Sequence, residues 1–133
     1  MSNVIAVLVR LAVLGIALTA YTLIAVPAMS EPGDANIGAG LLAFAALIVV
    51  SCIWSLVDGM RQGAPTAIAR WAAVAVLLAV GWWVALAVPQ DSSMSFGELL
   101  AADAASIPFS IGLVLVPAVV GAVVGQAVGR RRG

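Results

Sequence analysis

The sequence predicts an all-α fold, a polytopic membrane protein built as a four-transmembrane-helix bundle with a short interfacial helix on its outer side. Three observations carry that expectation. Of 133 residues, 64% are hydrophobic and only 9% are charged, against roughly 25% charged in soluble domains. The apolar residues fall into four runs of the length a bilayer requires, about 20 residues rising 1.5 Å each through a hydrocarbon core of about 30 Å. The charges, finally, sort by sign between alternate ends of those runs. The spans consume most of the chain, so residues 1–133 read as a single transmembrane domain with no stretch left for a separate water-soluble one.

The first run, residues 4–26, carries one charge, Arg10, and stops at Pro27, before the turn-forming Ser30, Glu31, Pro32, Gly33 and Asp34. It is longer than a typical signal core and no charged segment precedes it, so it reads as a retained span rather than a secretory leader. The second run, 37–57, closes on Asp58 and Gly59, where glycine is free to take the positive φ that ends a helix. The third, 66–88, opens after Gly63, Ala64 and Pro65 and ends at Pro89. Before the fourth run, Ser95 and Glu98 have the spacing of a capping box, in which each side chain satisfies a backbone N–H of the other residue. A short amphipathic helix follows from it, with Phe96, Leu99 and Leu100 on one face. The fourth run, 107–128, ends at Gly129 and the arginine tail.

With four crossings, Arg10, Arg61, Arg70, Arg130, Arg131 and Arg132 fall near one face, and Glu31, Asp34, Asp91, Glu98 and Asp103 near the other. Arginine enrichment marks the cytoplasmic side, which places both termini inside. Trp54 and Trp71 then lie near the inner interface, and Tyr21, Trp82 and Trp83 toward the outer one, as aromatic belts require. A chain rich in Ala, Val and Gly, with arginine as its only basic residue type, has the composition of a bacterial protein, so the expected location is a bacterial cytoplasmic membrane. The first and third runs both end in Ala-Val-Pro, but in so Ala- and Val-rich a chain this does not establish an internal repeat.

Composition also narrows the chemistry. There is no histidine and a single cysteine, Cys52, which removes imidazole-ligated metals, His-based acid–base work and any internal disulfide. Ser51, Cys52 and Ser55 have neither His nor Lys to activate them. No catalytic residue, metal site or cofactor is expected, and no nucleic-acid partner. No acidic residue lies in the hydrophobic middle of a span, which speaks against a proton-coupled transporter.

Two groups of residues stand out as candidate sites. Gly121, Gly125 and Gly129 repeat every four residues along one face of the fourth span, and the first span offers a matching stripe of Ala12, Gly15, Thr19 and Thr22. Small residues at this spacing let helix backbones approach closely, the main source of association within lipid. Pro117 removes an N–H bond and should bend the same helix. The second group is a basic rim of Arg10, Arg61, Arg70 and Arg130, suited to anionic lipid headgroups or an acidic partner segment. Arg10 and Arg70 lie close enough to the inner interface to snorkel to it. Counted from the outer ends, Arg10 is about 24 Å deep and Asp58 about 31 Å, a difference that an arginine side chain spans. A pairing between Asp58 and an arginine is the plain alternative to a lipid site.

The expected role is a non-catalytic helix-packing subunit or interaction partner of a membrane assembly, in contact with membrane lipids and with copies of itself or a larger membrane protein. The alternative is a homo-oligomeric channel, permease or holin-like pore.

Overall fold

The computed structural model describes residues 2–29, 37–87, 95–103 and 105–131, and among them every regular element is helical. The first span is α1 (Asn3–Ala20), a single π-turn (Tyr21–Ala25) and α2 (Val26–Met29) in one continuous run. Then follow α3 (Ile37–Gln62), α4 (Ala64–Ala87), the short α5 (Phe96–Ala102) and α6 (Ser106–Arg131). Four runs are long and apolar enough to cross a bilayer, making this a multi-pass membrane protein. Glu31, Asp34, Asp91, Pro89 and Arg132 lie outside the described residues.

Three boundaries differ from expectation, each for a local reason. Pro27 does not end the first helix. The turn before it widens to a π-turn, in which the Val26 N–H donates to the Tyr21 carbonyl five residues back. This loosened turn makes room for a ring that would otherwise clash with the carbonyl four residues earlier. The second helix runs past Asp58 and Gly59 to Gln62, because the residue with positive φ is Gly63, at 83°. The next helix therefore starts at once, at Ala64, where Pro65 needs no intrahelical N–H partner. The Ala64 N–H is not left open either, since Gln126 of α6 accepts from it at 2.7 Å. The expected capping box is present, with Ser95 and Glu98 bonded reciprocally at the start of α5.

The most extensive helix pairing is α3 with α6, followed by α4 with α6 and then α1 with α4. The reason for the first is the glycines. A Cβ on Gly121 would collide with the Cys52 carbonyl and the Ser55 hydroxyl, one on Gly125 with the Leu56 carbonyl, and one on Gly59 with the Ala122 carbonyl. Gly129 continues the ridge less tightly, its added Cβ falling 3.0 Å from the Met60 carbonyl oxygen. These two helices thus pack backbone to backbone, maximising van der Waals contact where lipid supplies no hydrophobic drive. Around them Leu14, Trp71, Val74, Leu78 and Val114 form the buried core. Large apolar side chains such as Ile16, Leu23, Leu41 and Val116 point outward, as expected of a surface bathed in hydrocarbon.

Candidate functional sites: a buried ion pair and an apolar cavity

The two halves of the bundle are built differently. At the arginine-bearing end the helices are tight, and a polar cluster is sealed inside. Arg10 of α1 and Asp58 of α3 are both 4% exposed. Nη2 of Arg10 donates to both carboxylate oxygens at 2.6 Å, and Nε donates to Oδ2 at 3.2 Å. Nη1 donates to the Ala6 carbonyl at 2.6 Å, one turn back on α1. Trp71 of α4 completes the cluster by donating its indole N–H to Asp58 Oδ2 at 3.0 Å. The guanidinium also lies 5.3 Å from the Trp54 ring centroid and 5.9 Å from that of Trp71, within range of both π-faces.

Of the two readings of the rim, the structure shows for Arg10 the pairing with Asp58. Arg10 does not snorkel to the membrane surface, because a carboxylate, a carbonyl and two aromatic faces inside the bundle replace its hydration. Asp58 likewise sits within its helix rather than at its end, one turn before the actual terminus at Gly63. Arg70 is engaged by Asn3, 3.0 Å from its Nε, and by Gln62. Arg61 and Arg130 remain exposed. What is left of the rim is therefore a looser set of cations than the sequence suggested. Chemically the cluster is a clasp: with every strong acceptor matched to a donor, it ties α1 to α3, two helices that otherwise share little contact.

The two small-residue stripes separate in the structure. Gly121, Gly125 and Gly129 face α3, whereas Gly15 has nothing within 4 Å of where a Cβ would stand and Thr19 is exposed. The Thr19 and Thr22 hydroxyls donate to the carbonyls of Gly15 and Leu18, at 2.8 and 2.9 Å. The stripe of α1 therefore faces outward, small and with its hydroxyl protons already used. Gly59, expected at a helix end, belongs to the packing ridge instead. Its spacing of four from Ser55 was the available signal, obscured by the neighbouring Asp58. Ser51 and Ser55 donate to the Leu47 and Cys52 carbonyls, at 2.6 and 3.0 Å, as ordinary helix back-bonds.

Toward the other end the bundle opens. Phe44 and Phe109 stand between α3 and α6, edge to face with centroids 5.7 Å apart, where the arginine-bearing end has glycines. Between all four spans there is a cavity of about 530 Å³. Leu18, Leu47, Leu78 and Val114 line the part nearer the middle of the spans, and Trp82 and Asp103 the part nearer the ends away from the arginines. Trp83 lines it too, and its indole nitrogen is buried with no hydrogen-bond partner among the described residues. The sequence did not reveal this cavity, since it arises from the divergence of helices rather than from any motif. Comparison with protein families, curated proteins and solved structures found no match to this chain.

Proposed function

We propose that this chain is a non-catalytic subunit of a membrane assembly, joining copies of itself or a larger membrane protein through the outward face of its first span. The observation that supports this reading is the open space beside Gly15, on a face where Ala12 and Thr19 are also exposed. The glycine ridge of α6 is consumed inside the bundle, whereas the stripe around Gly15 is left open for a second helix to approach. The exposed Arg61 and Arg130 add a basic fringe suited to anionic lipid headgroups. In this reading the arginine-bearing end faces the cytoplasm of a bacterial cell, with both termini inside.

The test is purification in a mild detergent followed by size exclusion with light scattering. A complex larger than one chain is expected, and Gly15→Leu should disperse it without lowering the thermal stability of the single chain. A chain that is monomeric and partner-free in both detergent and lipid nanodiscs would overturn the proposal. Ion flux from proteoliposomes containing the homo-oligomer would point to the pore instead.

A further inference from the structure

We propose that the cavity opposite the Arg10–Asp58 end is a lipid site that takes one acyl chain of a glycerolipid, with the ester carbonyl accepting from Trp83 Nε1. The volume, about 530 Å³, falls within the usual range for small-molecule sites, about 300–1,000 Å³. Its walls nearer the middle of the spans are hydrocarbon, from Leu18, Leu47, Leu78 and Val114, so the part of the ligand seated there is apolar.

The polar complement of the cavity narrows the ligand further. The four hydroxyls along its wall are already committed as donors: Tyr21 to the Ala39 carbonyl, Thr22 to Leu18, Ser106 to Asp103 and Ser110 to Ser106. Of the two indoles in the lining, Trp82 is part-exposed, and the buried one is Trp83. It is 7% exposed, and its N–H has no acceptor among the described residues. A buried donor left unmatched is costly, so an acceptor arriving with the ligand is favoured. The nitrogen has no open surface of its own, so that acceptor reaches it as the indole, or Phe96 packed edge-on against it, shifts.

Depth agrees with an ester. Trp83 lies one turn from the end of α4, near the interfacial level where indole N–H groups characteristically find acceptors. Charge separates the two common sources of an acyl carbonyl. Among the described residues that line the cavity Asp103 is the charged one, and it repels the carboxylate of a free fatty acid but not the neutral ester of a glycerolipid.

Native mass spectrometry on the purified full-length chain tests this. The chain is offered equal amounts of dipalmitoyl phosphatidylcholine, its dihexadecyl diether counterpart without carbonyls, and palmitic acid. The ester lipid should be retained about three to ten times better than the diether, the worth of one hydrogen bond, and palmitate less than the ester. Trp83→Phe, which keeps a ring but loses the N–H, should retain ester and diether equally. Ala43→Phe, which fills the cavity wall, should retain neither. Equal retention of ester and diether by the unaltered chain, or an ester preference surviving in Trp83→Phe, would overturn the site. Palmitate retained as well as the ester lipid would overturn the assignment to a glycerolipid.

Discussion

Arg10 and Asp58, 48 residues apart in sequence, meet in the bundle interior with one guanidinium nitrogen 2.6 Å from each carboxylate oxygen. Burial makes such a pair expensive to break and cheap to replace. Removing one partner strands the other charge, whereas replacing both with apolar side chains strands neither.

Arg10→Met and Asp58→Leu should therefore each lower the unfolding free energy by about 3–5 kcal/mol, while the double variant that combines them loses much less than the two single effects combined. Reversible denaturation in mixed micelles measures all three. Trp71→Phe removes one donor to the same carboxylate and should cost about 1.5–3 kcal/mol. Additive single effects would mean that the two side chains do not act as a pair.

The glycines divide by what a methyl group would meet. Gly121→Ala and Gly125→Ala push into carbonyls of α3 that belong to a rigid helix and cannot step aside, and should destabilise by about 1–3 kcal/mol or more. Gly15→Ala and Gly40→Ala enter open space and should stay within about 0.5 kcal/mol. Thermal unfolding of the four variants in one detergent checks the contrast, and a single value common to all of them would refute the packing argument.

The α5 cap should respond to pH. Glu98 accepts from the Ser95 N–H and from its hydroxyl, and these bonds hold its carboxyl below the usual 4.5. The folded cap thus binds its proton more weakly than the frayed helix does. Its stabilisation is complete above about pH 4.5 and disappears as pH falls through the lower folded value. Hydrogen exchange corrected for intrinsic rates should show residues 96–99 losing protection at acid pH, and Glu98→Gln should flatten that dependence.

Topology has a direct readout. In a Cys52→Ser background, a membrane-impermeant maleimide added to intact cells should label Gly97→Cys and leave Gln62→Cys unlabelled until the membrane is opened. The reverse pattern would invert the orientation.

Four spans, the turn region before α4 and the capping box of α5 were all legible in the sequence, because each rests on local chemistry. A run of apolar residues is a helix in lipid whatever surrounds it, since its backbone groups have no other partners there. Ser95 and Glu98 likewise cap their own turn without help from other elements. Helix ends were less legible. Pro27 is absorbed by a π-turn, and the choice between Gly59 and Gly63 as terminator depends on which glycine is pressed against α6.

The order of residues alone is enough to give four runs that cross a membrane and a face of α6 able to meet another helix. That α3 fills this face while the stripe around Gly15 stays open depends on how the helices pack, because small residues license close approach without naming the partner. Tertiary structure also drew Arg10 inward to Asp58, where a carboxylate and two indoles outweigh hydration at the surface. The same packing left a cavity under Trp83. Glycines hold α3 and α6 together at one end, whereas toward the other Phe44 and Phe109 meet edge to face beside the cavity, and a void of that kind belongs to pairs of helices rather than to any single segment.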